Sequence, residues 1–526
     1  MVSPRDPAYN PGSPRRLSKS VNFFGGSLPN WSPSLVWEGI GGLNPAYLIS
    51  GGVSFAPLAF EENFMKKPSF CLLLTGMITS QMSLAATLTP NLERGEKNVY
   101  FTSPRGIQEV CVIPLKYPGA KYSKKDIKKE AELCNYSFYD LSDTDQLEEK
   151  QAAALCAKTN STNPGVNIYE IDKEKGQTKK GLEEKDCEGA EKIGKYKNST
   201  SCSYAPSILA YYHMSRILGG IGNVPVSVLR SMDIETHKVL AKEGLKNTKN
   251  GELINQTWGS LANFLNQGLK GSKASVLLSD DGQQSYGAFI VNPNGEESYK
   301  ELFTAGPDRA VAFRDKNELF KLVRNPAPLE KVVSSQWSQA NVQNLFAMRD
   351  ITEFILLDHI LDQQDRFGNI AEQDQFVYMA KEHGSDDESF ELQSTHKQKE
   401  VDADKSQGLV DANKPVLTIK KMILKDNDCG VAKTNVVKQA GLLKVISHMS
   451  AKTYKKLMEL QQSIAANKKF FVSNLMFTPQ DFDEMVVNIN DAANILKKNC
   501  ESGALRLDLD VDEYLEAGAV NPGACS

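Results

Sequence analysis

The strongest chemical signal in the chain is a short polar tip on an apolar run. Ile351 to Ile370 reads ITEFILLDHILDQQDRFGNI, and its second half carries Asp362, Asp365, Arg366 and Asn369. A carboxylate followed within one turn by an amide oxygen suits phosphoryl transfer, where an acid orients the attacking hydroxyl and an asparagine helps to hold a metal ion. Asp365 is the candidate acid, Asp362 a candidate to share that role, and Asn369 the amide ligand. Further acids lie at Asp426 and Asp428 in KDNDCG, after the apolar run from Val416. A carboxylate at a strand end before a glycine turn is a common way to present a magnesium ligand. Cations come earlier, at Lys195 and Lys197 in a strand-like KYK stretch that runs into a helix, a position from which a lysine can meet nucleotide phosphates. Each motif has a plainer alternative: a capped helix end, a turn rich in Asp and Asn, and an exposed strand face.

These groups need elements to hold them. Ile351, Phe354, Ile355, Leu357, Ile360 and Leu361 recur at helical spacing, so a helix docked on a core would deliver the polar tip to a cleft. Between Lys192 and Arg230 the pattern passes from strand through a Ser-rich turn into a helix that starts near Pro206 and stops at Gly219 and Gly220. Asp233 to Gly271 reads as helical, and Ala274 to Leu278 and Tyr286 to Val291 read as strands. Glu297 and Glu301 fall on one face of an expected helix. Lys173 to Lys185 reads as a solvated loop, and the polar tract from His383 to Lys414 as an insertion loop. Val416 to Gly430 reads as a strand that closes on a turn, and helices predominate from Ala440 onward.

Length and composition bound the rest. A chain of 526 residues with 40% apolar and 24% charged residues has room for two to four domain-sized units, and a net charge of -4 gives no basic field for nucleic acid. Met65 to Ala86 has the pattern of a secretory signal peptide, with Lys66 and Lys67 before an apolar stretch too short to span a bilayer comfortably. Residues 1–64 then read as an over-extended or disordered leader, 65–85 as the signal, 86–345 as an N-terminal lobe with disulfide-rich insertions, and 346–526 as a mainly helical C-terminal lobe. Nine cysteines less Cys71 of the signal leave eight, an even number that favours disulfides in an exported chain. Periplasmic or secreted localisation follows, with no transmembrane segment in the mature chain.

In their order along the chain, these pieces resemble the atypical kinases of the secretory pathway, the Golgi casein kinase family, and more distantly the phosphatidylinositol 3-/4-kinase superfamily. LAYYHMSRILGGIGNVP is similar to the family's apolar helix and Val-Pro segment, Asp365-Arg366-Phe367 to its catalytic loop, and Asp426-Asn427-Asp428 to its metal-binding turn. The resemblance spans roughly residues 190 to 450 with gaps. It implies an α+β, two-lobed protein-kinase-like fold, with ATP and Mg2+ or Mn2+ as cofactors and a hydroxyl on a protein, glycan or lipid as acceptor. Asp365 would be the catalytic acid, Lys195 or Lys197 would contact phosphate, and Asn369, Asp426 and Asp428 would hold metal. Three departures stand out. Asn369 lies four residues after Asp365 rather than five, Asp428 replaces the family's glycine, and no glutamate stands near Ser207 and Ile208, so that Glu297 or Glu301 would have to replace it. An inactive pseudokinase acting as a secreted binding module is the alternative that these departures support.

Overall fold

Strand formation here follows the β-branched, aromatic and apolar runs, and their pairing gathers segments far apart in sequence. The computed structural model describes residues 95–141, 150–299, 308–381, 390–518 and 523–525. The leader, the signal segment and Glu301 lie outside the described residues. One sheet contains β1 (Gly95–Thr102), β2 (Gln108–Pro114), β3 (Tyr136–Ser137), β4 (Gln151–Ala157), β5 (Val166–Glu170), β6 (Lys192–Asn198), β7 (Ser227–Asp233) and β8 (Gln284–Val291), in the order β1-β2-β7-β8-β6-β5-β4-β3. All neighbours are antiparallel except β3 and β4. The middle of the sheet is covered on both faces, and every residue of β7 is buried. The helix Ala205–Ile217 packs against β7 and β8 and is itself buried along its whole length, with a proline in its first turn. Gly287 has a packing reason: a Cβ there would stand 2.5 Å from the Tyr196 ring, which lies across it.

The second sheet joins β9 (Glu296–Ser298), β10 (Ala371–Ala380), β11 (Glu391–Thr395) and β12 (Leu417–Ile423), with β10 in the middle. The outer edge of β12 is finished by side chains of the long helix Gln339–Ile360. Gln343 receives the N–H of Lys420 at 2.8 Å and donates to its carbonyl at 2.9 Å, and Asp350 receives the N–H of Met422 at 2.9 Å. Residues 343 and 350 lie seven apart, two helical turns on one face, so one helix can saturate an edge that would otherwise pair with another chain. That helix also packs against Glu318–Val323 and Pro479–Glu501, and the latter opens on a capping box between Thr478 and Asp481. The architecture is thus α+β. Among the described residues, no helix is long and apolar enough to cross a membrane.

Several local expectations change. Ala274–Leu277 forms a short helix rather than a strand, because Leu277 joins a separate cluster with Trp258, Leu261 and Leu265. Glu297 sits in β9, opposite Glu372 on β10, and not on a helix. The tract from His383 to Lys414 holds β11 and the helix Gln398–Ser406, whose Val401 packs with Tyr378 and Ala380. In the charged stretch from Lys173, Lys179–Glu183 is helical and buries Leu182. The eight cysteines form four disulfides: Cys111–Cys134, Cys156–Cys187, Cys202–Cys429 and Cys500–Cys525. Two staple the N-terminal half, as the cysteine distribution suggests, and a third crosses 227 residues to Cys429.

Candidate functional site

Strand periodicity sets the first layer of the site. Along β6, Tyr196 turns into the core while Lys195 and Lys197, two residues apart, share the other face. The turn after β12 presents two acids at the same spacing. Lys195 Nζ meets Asp426 Oδ1 at 2.9 Å, and Lys197 Nζ meets Asp428 Oδ2 at 2.6 Å. The residue between the acids, Asn427, faces the other way and builds the support. Its Oδ1 accepts from Arg366 Nη2 at 2.7 Å and its Nδ2 donates to the Leu424 carbonyl. Arg366 is fully buried and grips both carboxylate oxygens of Asp358 at 2.8 and 2.9 Å, while the Tyr211 hydroxyl donates to Asp358 at 2.7 Å. One guanidinium therefore fixes the end of the long helix, the loop after it and the metal-turn candidate relative to one another.

Backbone bonds lock the same pieces. Gln364 N–H donates to the Cys429 carbonyl, Val431 N–H to the Leu361 carbonyl and Tyr204 N–H to the Asp428 carbonyl. Ser207 Oγ donates to the Asn427 carbonyl at 2.6 Å. Gly430 is required by this approach, since a Cβ would stand 2.6 Å from Ser207 Oγ and 2.9 Å from the Leu361 carbonyl oxygen. The Cys202–Cys429 bridge ties the Ser-rich turn before the Ala205–Ile217 helix to the residue after Asp428.

The charges interact strongly. Burial alone would raise the Asp426 carboxyl, but Lys195, Lys197 and Lys158 outweigh it and hold the group well below the usual carboxylate range. Asp428 is held down in the same way, against burial, chiefly by Lys197. Burial would lower Lys197, yet Asp428 and Asp426 raise it above its ordinary value. Asp365 is pushed up by burial and then by Asp428 and Asp426, which places its carboxyl within electrostatic reach of both acids. Asn369 donates to the Asp365 carbonyl at 2.7 Å, and Arg309 donates to the Phe367 carbonyl at 3.0 Å, closing the loop around Asp365.

In the structure, then, Lys195 and Lys197 pair directly with Asp426 and Asp428, Asp365 interacts electrostatically with both acids and with Lys197, and Asn369 bonds the Asp365 carbonyl, the segments lying as much as 233 residues apart. Two others it does not bring in. Asp362 adopts a left-handed backbone (φ 49°) and accepts from Asn435 Nδ2 at 2.9 Å. Burial pushes its carboxyl up to about 6, opposed by the Asn435 hydrogen bond and reinforced by Glu484, so it faces the helices of the C-terminal half and not the lysines. Glu297 is spent on an ion pair with Lys420 at 2.7 Å. The neighbouring Glu296 acts on Lys192 at the start of β6 and pairs with Lys425 at 2.9 Å.

Sequence reasoning missed Lys158. This lysine opens the β4–β5 hairpin, and burial together with Lys197 and Lys195 pushes it down to about 7. The N-P-G at Asn163 to Gly165 was a readable turn signal for that hairpin. Among the described residues, no three His, Cys, Asp or Glu side chains gather to hold a metal by themselves. Two carboxylates two residues apart do fit a magnesium-type ion that arrives with phosphates, because such ions commonly take one or two protein carboxylates and complete their shell with phosphate oxygens and water.

No family model matches the sequence, and no curated protein matches it. Among solved structures, one of the Golgi casein kinase is 10% identical over 84% of this chain and 94% of its own, with a TM-score of 0.35. A structure of the Golgi casein kinase with Mn/ADP bound is 9% identical over 77% of this chain and 84% of its own, with a TM-score of 0.34. Likeness at this level decides neither fold nor chemistry, and the geometry of the site carries the reading that follows.

Proposed function

We propose that the chain is an exported kinase-like phosphotransferase that moves the γ-phosphate of ATP to a hydroxyl on a protein, glycan or lipid. The observation that carries this reading is the convergence of Asp365 from one loop with Asp426 and Asp428 from another around two strand lysines. Phosphoryl transfer asks for that set: an acid for the acceptor hydroxyl, carboxylates for the metal and cations for the phosphates. The sheet supports the same reading, since β4, β5 and β6 run as consecutive antiparallel strands, with a hairpin before the strand that bears the lysines. A two-lobed arrangement belongs to this proposal, with the division expected near residue 345 falling inside the continuous helix Gln339–Ile360 and so not at a linker.

Within it, Asp365 accepts the proton of the acceptor hydroxyl as that oxygen bonds to the γ-phosphorus and the bond to the ADP oxygen breaks. Its raised carboxyl, in the company of two other acids, makes it the better base of the three. Asp426 and Asp428, held ionised by the lysines, would hold Mg2+ or Mn2+, with Asn369 as a further oxygen ligand. A divalent ion there supplies charge neutralisation along the phosphates. Arg366 acts on the reaction through Asn427, as a positioning residue. Export agrees with four disulfides, which persist in oxidising compartments.

One observation favours the pseudokinase reading instead. The Ala205–Ile217 helix contains no acid, and both strand lysines already hold carboxylates. Equilibrium binding of a non-hydrolysable ATP analogue separates the two readings. The phosphotransferase reading expects binding that needs Mn2+ or Mg2+ and that Asp426→Asn removes. Binding indifferent to both metal and Asp426, or no binding at all, overturns it.

A further inference from the structure

The β4–β5 hairpin carries a feature that the site as described does not use. Lys158 follows β4 directly, and its N–H donates to the Gly165 carbonyl at 2.8 Å, so the two residues face one another across the hairpin. The ladder register runs Ala157 opposite Val166 and Val166 opposite Tyr196. One residue further on, Lys158, Gly165 and Lys197 fall in a row across three strands, on one face of the sheet. The middle member has no side chain. A Cβ at Gly165 would stand 3.4 Å from Lys197 Cγ and 3.3 Å from the Tyr196 carbonyl oxygen, so only glycine leaves the floor between the two lysines bare.

The hairpin is held in place at three separate points. Trp258 Nε1 donates to the Lys158 carbonyl at 3.0 Å, and Thr257 Oγ1 to the Thr162 carbonyl at 2.9 Å, both from the helix Leu253–Gln267. Asn163 Nδ2 reaches Cys202 Sγ at 3.2 Å and Cys429 Sγ at 3.7 Å. The hairpin is therefore referenced to the same disulfide that fixes the Asp426–Asp428 turn. Lys197, Lys195 and Lys192 from β6 and Asp426 from the turn all act electrostatically on the Lys158 ammonium. Lys195 and Lys197 each hold an acid at ion-pair distance, whereas no described carboxylate lies at that distance from Lys158.

We infer that Lys158, over the bare floor made by Gly165, is the principal protein cation for the nucleotide's terminal phosphates, and that Lys195 and Lys197 chiefly hold the metal-binding acids in place. This rests on the phosphotransferase reading of the site and deepens it. A phosphate in the slot brings the charge that a crowded, part-buried ammonium lacks, and the low position of Lys158, about 7, agrees with a cation waiting for an anion. The side chain makes no ion pair whose loss would unfold the hairpin, so its removal can be read as a binding effect.

The test is titration calorimetry on the full exported chain with Mn2+, comparing a non-hydrolysable ATP analogue with adenosine. A charge-assisted hydrogen bond is worth about 1.5–3 kcal/mol, which converts to roughly tenfold to a hundredfold in affinity. Lys158→Met should weaken the analogue by that factor and leave adenosine unchanged, and Lys158→Arg should recover most of the loss. Gly165→Val, which fills the floor, should give the same selective loss from the other side. Analogue binding within about twofold of wild type in Lys158→Met overturns the assignment, and so does equal weakening of analogue and adenosine. If Asp426→Asn abolishes analogue binding while Lys158→Met does not, the site reading stands and only this inference falls. Wild-type protein that binds neither compound overturns both.

Discussion

Asp362 and Asp365 stand three residues apart on one loop, and their surroundings differ in kind. Asp362 is placed among amides and helix ends, where Asn435 donates to it and burial drives it toward the neutral form at about 6. Asp365 looks across to Asp428 and Asp426, which are kept ionised by lysines from another strand. Both carboxyls are raised mainly by burial. Each is also raised by neighbouring acids, Asp362 by Glu484 and Asp365 by Asp428 and Asp426, but only the neighbours of Asp365 are themselves paired with lysines across a candidate metal turn, where a metal ion and a hydroxyl would both approach. What separates a structural acid from a reactive one is therefore its set of neighbours, and local spacing along the chain does not report that set.

The largest expected effect breaks this comparison at Asp365. Replacing Asp365 with Asn should lower the metal-dependent release of ADP from ATP by about a hundredfold to ten-thousandfold, the usual range for a general base, while binding of the ATP analogue stays within about twofold. Asp362→Asn should leave both unchanged. Comparable turnover in Asp365→Asn and wild type would remove Asp365 from the chemistry.

The smaller effect sharpens the comparison from the other side. The folded carboxyl of Asp362, at about 6, lies above its ordinary 3.8. A group raised on folding contributes stability that is full below the unfolded value and is lost as pH rises through the folded one. At pH 7 to 8 the ionised Asp362 therefore weakens the fold, and Asp362→Asn should stabilise it by ~1–3 kcal/mol, with the gain shrinking toward zero near pH 4. Asparagine also tolerates the left-handed backbone at this position. Denaturant unfolding at several pH values would check this, and a variant less stable than wild type at pH 8 would show that Asp362 is needed in its ionised form.

Much of the scaffold was legible because it is written in local periods. The stripe from Ile351 to Leu361 gave the C-terminal part of the long helix, the apolar content from Leu417 to Leu424 gave β12, and Pro206 marked the helix after β6. The lysine and acid motifs were legible for a similar reason, since each is a short run of unusual residue types. Pairings were not legible. Cys202 finds Cys429, and Arg366 finds Asn427, only after the sheet and the long helix have brought distant segments together. Lys158 was overlooked because a lysine at the start of a polar hairpin looks like any surface lysine until β6 is laid beside it. Ala274 to Leu278 and Glu297 were misread because each is only a few residues long, and tertiary contacts decide the conformation of such short segments.

The central claim is that Asp426 and Asp428 form a metal-nucleotide site that faces Asp365. Its most direct test is a crystal of the protein grown with Mn2+ and a non-hydrolysable ATP analogue, with data collected for manganese anomalous scattering. The account predicts an anomalous peak in direct coordination with Asp426, with phosphate oxygens completing the shell and Asp365 lying beyond the terminal phosphate. A peak held by other residues, or nucleotide bound away from the β6 lysines, would contradict it.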